Sequence, residues 1–371
     1  MFGNFRWWLA SWLGLEDPKR IPPRSRQDQA SDRENLGQVA KLLGIVNSSW
    51  MAQATCVAAE LGIADQLASG PKTTDELARA SGCHAPSLRR LMGALTSLDL
   101  CAERGDGAFE LTPMGALLRK DAPNSVRSWT IWWGRYLWPV WANLLYSVKA
   151  GTDARRLLAG TEGFDPLERN ATMAATFYEA MVELTRLVGR GVCRSYDFSG
   201  MKQVVDVGGG YGELLGAVLK AYPAMRGILF DLPRAVQGAR PHLESLGVGD
   251  RCNFIAGSFF DSVPGGADAY LLKSVIHNWD DAQSAIILRN CRRAMSPDAK
   301  LLLVEQLMPV HMEASPRVQA MARADLNMLV THGARERTEA EFQRLLRAQD
   351  FSLVRIIPTV SNYNVIEAVP G

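Results

Sequence analysis

The C-terminal half of the chain is predicted to be an α/β domain built around a mostly parallel sheet. After Met201, short apolar runs alternate with amphipathic stretches of helical periodicity. The apolar runs are QVVDVG, RGILFDL, CNFIAGS, AYLLKSV and KLLLVEQ. Strands separated by helices form βαβ units, so the connected strands lie parallel. Two further runs, FSLVRIIPT and NYNVIEAV, are predicted to close the chain as a hairpin.

The N-terminal half is predicted to be mainly helical, with a winged-helix arrangement. The segment TTDELARASGCHAPSLRRLMGALTSLDL predicts two short helices around a glycine turn, and ERGDGAFELT predicts a small hairpin after them. Winged helices often bind DNA, yet residues 71–120 carry seven Lys or Arg against six Asp or Glu. Because a DNA-binding domain presents a clustered basic face, this balance favours dimerisation or packing instead.

The bulk composition favours a folded protein with small-molecule or protein partners. The 371 residues are 47% hydrophobic, and the formal net charge of +2 predicts no strong field toward nucleic acid or acidic membranes. The six cysteines are scattered without a C-x-x-C pair, so we expect a reduced, cytoplasmic chain with no metal site. The aromatic segment MFGNFRWWLASWLGLEDPKR is too short for a membrane span. It is expected to pack on a partner subunit; contact with a membrane surface and disorder are less favoured.

The region before Met201 carries many aromatic side chains at helical spacing. The segment SWTIWWGRYLWPVWANLLY is rich in tryptophan, and the next helix places Met173, Phe177 and Met181 four residues apart on one face. Such stripes most often pack in a core or an interface. They could also line a cavity for a flat substrate, and both interpretations stay open.

A glycine-rich turn follows the first strand of the α/β domain. The sequence VVDVGGGYGELLGAVL predicts a strand, a tight turn and a helix whose free N–H groups face a ligand. Gly208, Gly210 and Gly212 fit G-x-G-x-G, but Glu213 stands where the dinucleotide fingerprint has its last glycine. An acid there would repel a pyrophosphate, so S-adenosylmethionine (SAM), which has an amino-acid tail and no phosphate, suits the turn better. Asp231, which ends the second strand, is placed to accept hydrogen bonds from ribose hydroxyls.

Eight segments, in this order, resemble those of the SAM-dependent O-methyltransferases of the plant caffeic-acid type and their bacterial natural-product relatives. They are DVGGGYG, FDLP, GSFFDSVP, LLKSVIHNWDD, ILRNCRRAM, VEQLMP, DLNMLV and RERTEAEF. The resemblance implies a Rossmann-like class I methyltransferase domain whose last strand is reversed, preceded by a winged-helix dimerisation domain, and a homodimer. We divide the chain accordingly into an arm and linker (1–34), a dimerisation domain (35–122), a helical substrate-binding region (123–200) and a SAM-binding domain (201–371).

The resemblance also implies a set of cofactor-binding residues. Two of them depart from the family pattern, which usually has an acid and a methionine where Ser258 and Phe259 stand. A serine still forms hydrogen bonds, and a phenylalanine still packs on adenine. The cofactor-binding residues implied are Asp206, Gly208, Gly210, Asp231, Leu232, Ser258, Phe259 and Lys273.

His277 is the predicted general base. It follows the fourth strand of the domain, and a histidine of ordinary pKa near 6.5 suits proton removal from a phenol, which at a pKa of about 10 is barely ionised at neutral pH. His332 is the rival candidate, in a loop that could face the cavity. The resemblance implies that Glu305 and Glu336 flank the base. Asn278 replaces the family's usual aspartate.

The predicted activity is SAM-dependent methylation of a hydroxyl on a small aromatic or polyketide-like secondary metabolite. A carotenoid-type hydroxyl is an alternative acceptor. A SAM-binding relative with hydroxylase or decarboxylase activity is less favoured because His277, Glu305 and Glu336 are all present. A non-catalytic regulator is less favoured because the glycine turn is intact and the charge is balanced, and no nucleic-acid partner is expected. The predicted substrate-binding residues are Met173, Phe177, Met181, Trp279, Asn327 and Met328.

Overall fold

The computed structural model describes residues 26–159 and 164–371. The aromatic arm predicted at the start of the chain lies outside these residues. The helix Arg26–Glu60 begins inside the linker predicted up to residue 34 and runs unbroken past that boundary. No glycine or proline interrupts residues 26–35, so nothing local stops the helix there.

The N-terminal region has the predicted winged-helix arrangement. After the long helix come the helices Ile63–Leu67, Thr74–Ser81 and Ala85–Ser97. Strands β1 (Cys101–Glu103) and β2 (Phe109–Leu111) then pair antiparallel, and the 3-10 helix Gly115–Leu118 follows. A reciprocal capping box between Thr73 and Glu76 satisfies N–H groups at the start of the second of these short helices.

A run of short helices connects this region to the sheet. One turn of it, Trp132–Leu137, is a π-helix, which bulges the chain where it passes the long first helix. The longest connecting helix is anchored by Glu183, whose carboxylate accepts hydrogen bonds from the N–H groups of Ser128 (2.9 Å) and Trp129 (2.8 Å). The helices are Arg127–Ile131, Trp138–Trp141, Leu144–Ala150, Ala154–Ala159, Asp165–Arg169 and Ala171–Ser195.

The C-terminal domain contains a seven-stranded sheet. In spatial order the strands are β5-β4-β3-β6-β7-β9-β8, and β3 to β7 are parallel while β9 runs antiparallel to both of its neighbours. The predicted parallel sheet, terminal hairpin and reversed last strand are all confirmed. The strands are β3 (Gln203–Val207), β4 (Arg226–Asp231), β5 (Cys252–Ala256), β6 (Ala269–Lys273), β7 (Lys300–Gln306), β8 (Phe351–Pro358) and β9 (Tyr363–Pro370).

Helices cover both faces of the sheet, so successive strand residues enter two separate cores. Val205 and Leu303 belong to one core, and Val204 and Leu302 to the other. The chain order changes direction at β3, between β4 and β6, which is where open α/β sheets bind ligands. The covering helices are Glu213–Ala221, Pro233–Ser245, Asp281–Ala294, Pro316–His332 and Glu339–Arg347, with 3-10 turns at Gly249–Arg251 and Ile276–Asn278.

Within the described ranges, no helix has the length and apolar character needed to cross a bilayer. The six cysteines carry free thiols. The expected cytoplasmic location stays a prediction.

Candidate active site

One large cavity, of about 1780 Å³, lies beyond the carboxyl ends of the central strands. Its wall includes every predicted cofactor-binding residue, together with His277 and Glu336. Of the predicted substrate-binding residues, it includes Phe177, Met181, Trp279, Asn327 and Met328. Among the described residues, Met173 and Glu305 are outside this wall. Met173 packs on the aromatic cluster around Trp132, and Glu305 is fully buried behind the wall.

The glycine turn after β3 brings backbone directly against the cavity. Gly208 and Gly210 adopt positive φ angles of 70° and 59°, which L side chains rarely adopt. A Cβ atom on Gly208 would lie 3.0 Å from the side chain of Val275 and 3.3 Å from the ring of Phe259. The turn therefore requires glycine for both its conformation and the close approach of Phe259.

Asp231 at the end of β4 holds this turn in place. Its Oδ2 accepts a hydrogen bond from the N–H of Gly210 (2.7 Å), and its Oδ1 accepts one from the N–H of Leu232 (2.6 Å). Burial raises the pKa of Asp231 to about 6, although these two N–H groups lower it. Burial, with the nearby charge of Asp231, raises the pKa of Asp206 to about 7. Each Asp231 oxygen keeps a lone pair for a ligand hydroxyl.

Glu213 does not act in the way that the sequence suggested. It begins the helix after the glycine turn, but its carboxylate binds Arg186 (3.2 Å) and His242 (2.8 Å) rather than facing the cavity. Repulsion of a phosphate by Glu213 is therefore the wrong reason to exclude a dinucleotide. The acids that do line the cofactor end are Asp206 and Asp231.

Lys273, at the end of β6, is the cation of the cofactor end. Its Nζ donates a hydrogen bond to Oγ1 of Thr185 (3.2 Å). Burial lowers the pKa of Lys273 to about 8, although Glu305, Asp206 and Glu336 raise it. Ser258, which stands in place of the family's acid, accepts a hydrogen bond from the N–H of Phe260 (3.2 Å) and so stabilises its own turn.

The cofactor end fits a ligand that carries ribose hydroxyls and a positive charge. Asp231 offers acceptors for the hydroxyls, and the ring of Phe259 offers a flat surface beside Gly208. The buried Asp206 has one carboxylate oxygen without a hydrogen-bond partner. This end of the cavity has two carboxylates, Asp206 and Asp231, and one lysine, Lys273. Such a balance of charge favours binding of a cation such as the SAM sulfonium over a phosphate.

His277 lies in the 3-10 turn that follows β6, and its ring contacts two buried acids. Nδ1 lies 2.8 Å from Oε1 of Glu336 and 3.8 Å from Oε2 of Glu305. Because a carboxylate only accepts hydrogen bonds, the close contact assigns the proton to Nδ1 and leaves Nε2 as the basic nitrogen. Burial lowers the pKa of His277, but Glu336 and Glu305 outweigh it and hold the pKa above the ordinary histidine value.

Two buried side chains fix the turn that carries His277. Oε1 of Glu305 accepts hydrogen bonds from the N–H groups of Val275 (3.1 Å) and Ile276 (2.9 Å). Arg337, which is 1% exposed, donates to the carbonyl oxygens of Ile276 (3.0 Å) and Trp279 (2.8 Å). Arg337 was not predicted to belong to the site, and its position in RERTEAEF, directly after Glu336, was the available signal.

Comparison with known proteins places this arrangement in a family. An O-methyltransferase dimerisation domain matches residues 43–121, and an O-methyltransferase domain matches residues 141–352. The chain belongs to the O-methyltransferase family. The predicted resemblance and the winged-helix plus class I methyltransferase fold are confirmed.

Individual relatives of this O-methyltransferase cover most of its length. Phenazine O-methyltransferase PhzM of Lysobacter antibioticus is 42% identical over 329 residues, 89% of this chain and 95% of the relative. The crystal structure of LaPhzM is 41% identical with a TM-score of 0.87, covering 90% of this chain and 99% of that one. Human N-acetylserotonin methyltransferase, solved in complex with SAM, is 28% identical with a TM-score of 0.83, covering 90% and 98%. The predicted SAM-dependent methyltransferase activity is confirmed.

The departure at Asn278 has a structural explanation in this methyltransferase. Its Nδ2 donates a hydrogen bond to the carbonyl oxygen of Ser274 (2.9 Å), a bond that an ionised aspartate could not donate. Asp280 caps the helix that follows this turn, since its Oδ1 accepts a hydrogen bond from the N–H of Gln283 (2.7 Å). His277 is therefore not needed as a cap.

The three residues of the predicted catalytic group also have the spacing of metal ligands. Ligand atoms of His277, Glu305 and Glu336 lie within 4.8 Å of one another. The 2.8 Å contact between Nδ1 and Glu336 is a hydrogen-bond distance, and Oε1 of Glu305 already accepts two N–H groups. Hydrogen bonding accounts for this geometry without an ion.

The other end of the cavity is aromatic. Trp279 packs edge-on against Phe260, with ring centroids 4.7 Å apart, and lies 6.0 Å from Phe164. Asn327 accepts a hydrogen bond from the indole N–H of Trp141 (3.0 Å). His332 lies 5.3 Å from Phe164, and burial together with the charge of Arg155 holds its pKa well below the usual range.

Sequence reasoning missed several residues of the wall. Tyr178 lies beside Gly210 and stacks on Tyr211 at 4.9 Å, and its adjacency to Phe177 was the available signal. Ser48, Ser49 and Ala52 of the long N-terminal helix also line the cavity, for which no motif in the sequence gave a signal.

Proposed function

We propose that the protein methylates a hydroxyl group of a small aromatic metabolite, with His277 as the general base. The observation that carries the proposal is the 2.8 Å contact between Nδ1 of His277 and Glu336 at the wall of the cavity. Support also comes from the relatives, among them a phenazine O-methyltransferase.

The chemistry needs a base because a phenol ionises poorly. At a pKa of about 10, only about one part in a thousand is phenolate at pH 7. SAM, when bound, supplies a methyl group that is activated by the positive sulfur. His277 takes the acceptor's proton through Nε2, and the Glu336 carboxylate stabilises the imidazolium that results. Glu305 acts as a positioning residue through the turn that carries the base.

The acceptor end suits a flat molecule. Phe164, Phe177, Trp279 and Met181 all face the cavity. Aromatic and thioether side chains bind planar rings by stacking, by edge contacts and by burial of apolar surface. These contacts favour an aromatic acceptor over a long carotenoid.

We further propose that two copies of the chain form a homodimer through the helix Arg26–Glu60. Val39, Val46, Trp50 and Val57 lie on one face of this helix, and all are at least 40% exposed. An apolar stripe of this length is unusual on a monomer surface. The match of residues 43–121 to a dimerisation domain supports a second copy as its partner. The four-part division of the chain also remains our proposal.

Transfer of label from methyl-labelled SAM to a panel of phenols, aromatic amines and a hydroxylated carotenoid tests the function. We expect methyl ethers of the phenols, and we expect turnover to persist in EDTA. His277→Ala should lower kcat by about 100-fold or more while SAM binding is retained. His311→Ala, at an exposed residue, is the matched control.

Three results would contradict the proposal. If label were found only on nitrogen, or only on the carotenoid, the acceptor would not be an aromatic hydroxyl. If the products were hydroxylated or decarboxylated, the reaction would not be methyl transfer. If His277→Ala turned over as fast as wild type, His277 would not be the base. If His332→Ala instead lost activity to the same extent, His332 would be the base.

A further inference from the structure

Arg155 is a cation of the cavity wall that the methyl-transfer reaction does not use. It lies in the short helix Ala154–Ala159 and lines the cavity. Among the side chains that the structure describes, in 35–158 and 164–371, none forms a hydrogen bond or ion pair with it, although the charge of Asp153 attracts it. The neighbouring carboxylate, Asp153, instead caps the helix by accepting the N–H of Arg156 (2.8 Å).

Arg155 belongs to the acceptor end of the cavity. Ala154, the residue before it, belongs to one hydrophobic cluster with Val140 and Val330, and Val330 lies two residues before His332. The charge of Arg155 also contributes to the low pKa of His332. The ring of His332 lies 5.3 Å from Phe164, and Phe164 lies 6.0 Å from Trp279, which follows the catalytic turn. Arg155 and His277 therefore line the same cavity as these rings.

The other cations of the wall are paired, exposed or at the cofactor end. Arg169 pairs with Asp165 at 4.0 Å, and Arg323 is exposed to solvent. Lys273 lies beside Thr185 and the buried acids. Among the described wall cations, Arg155 differs from Arg323 in being partly buried, from Arg169 in having no ion pair, and from Lys273 in its distance from the cofactor-end acids Asp206 and Asp231.

Arg155 stays charged at neutral pH. Burial lowers its pKa to about 10, and Asp153 opposes this shift. A guanidinium partly removed from water gains most from a partner that restores its lost hydrogen bonds. Its planar fork matches a carboxylate, which accepts two parallel N–H bonds.

We propose that Arg155 binds a carboxylate on the acceptor, so that the preferred substrate is a hydroxylated aromatic acid. This inference rests on the proposed function, because it names the substrate class of the same cavity. His332, which is neutral, does not compete for the carboxylate by charge. Arg155 thereby sets the orientation that presents the acceptor hydroxyl to His277.

The inference can be tested by comparing hydroxynaphthoic acids with the corresponding hydroxynaphthamides, in which a neutral carboxamide replaces the carboxylate. We expect the wild-type enzyme to favour each hydroxynaphthoic acid over its carboxamide by at least about tenfold in kcat/KM. Arg155→Met should raise KM for the acids by about 10- to 100-fold and change KM for the carboxamides and for SAM by less than about twofold. Arg155→Lys should recover part of the loss, and Lys149→Met, at an exposed residue of the preceding helix, is the control.

Equilibrium binding of the same probes to the complex with S-adenosylhomocysteine separates this inference from the proposed function. Acids that bind no better than carboxamides, or bind Arg155→Met as tightly as wild type, would overturn the role of Arg155 even where methylation proceeds. If acid binding depends on Arg155 but no probe is methylated, the carboxylate site stands and the proposed acceptor hydroxyl fails.

Discussion

At the scale of single residues, a central property of the active site is the pKa of His277, which two carboxylates raise. Glu336 and Glu305 hold the pKa of His277 above the ordinary value against the opposing effect of burial. A raised pKa makes the imidazole a stronger base but also keeps more of it protonated at neutral pH. Only the neutral form accepts a proton, so activity should increase with pH through the raised pKa.

The pH profile of Glu336→Gln tests this electrostatic account. For wild type, we expect kcat/KM to rise with pH with an apparent pKa above 6.5, the ordinary histidine value. Replacing the carboxylate by an amide removes the largest favourable effect on the imidazolium, so the rise should shift to lower pH while the maximum falls. Steady-state kinetics between pH 5 and 9 measure both quantities.

Glu313→Gln, at an exposed position, serves as the control for the pH profile. An unchanged apparent pKa in Glu336→Gln would mean that another group titrates in this range. The carboxyl groups of Asp206 and Asp231, with pKa values raised to about 7 and about 6, are the next candidates.

At the scale of single elements, the glycine turn after β3 shows two separate reasons for a glycine. One is a backbone conformation with positive φ, and the other is a neighbouring side chain too close for a Cβ atom. Gly208 has a φ of 70°, and a Cβ atom there would lie only 3.0 Å from Val275 and 3.3 Å from Phe259, so these side chains would have to shift. Gly107, in the β1–β2 hairpin, has a φ of 80° with open space around it. The two positions share a backbone conformation that is unfavourable for L residues, and they differ in what an added methyl group would meet.

We therefore expect Gly208→Ala and Gly107→Ala to have different consequences. Both should lower the free energy of unfolding by about 1–2 kcal/mol, since each forces an L residue into the left-handed region. Only Gly208→Ala should also weaken SAM binding, by about tenfold or more, because Phe259 must move. Thermal denaturation and calorimetric titration with SAM check the two effects, and equal SAM affinity in both variants would exclude a role for close packing at the turn.

At the scale of the whole molecule, the long N-terminal helix connects assembly to the cavity. One of its faces carries the exposed apolar stripe, while Ser48, Ser49 and Ala52 reach the cavity wall. Dimerisation through the stripe would restrict the motion of a helix that also borders the substrate. Loss of the dimer should then reduce activity without any change at His277.

Charge placed in the stripe tests the dimer. Val46 is 60% exposed on the helix, and Val46→Glu should convert the dimer to a monomer because burial of an unpaired carboxylate is costly. Sedimentation velocity at micromolar concentration measures the mass. Val310→Glu, at a loop residue that is 80% exposed, is the control and should leave the mass unchanged. A Val46→Glu variant that stays dimeric would place the interface elsewhere.

Much of the fold and site could be predicted because local patterns carry the information. Alternating strands and helices predicted the parallel sheet, and the run of glycines after the first strand predicted the tight turn there. The catalytic group was predicted from motif resemblance, and the structure brings His277 and Glu336 into contact. Met173, by contrast, has the helical spacing of Phe177 but packs on the aromatic cluster outside the wall, since spacing alone does not say how far a side chain is from the cavity.

The sequence by itself determined the order of the elements and the glycine turn, and it predicted His277 as the base, since these inferences depend on periodicity and on residues close together in the chain. Only the tertiary structure decided which charges are neutralised. Glu213 finds Arg186 and His242, and Arg337 reaches the turn of His277, across 27 to 61 positions of sequence. Arg155 forms no ion pair with any described residue. Electrostatic pairing depends on distance in space, which local sequence patterns do not contain.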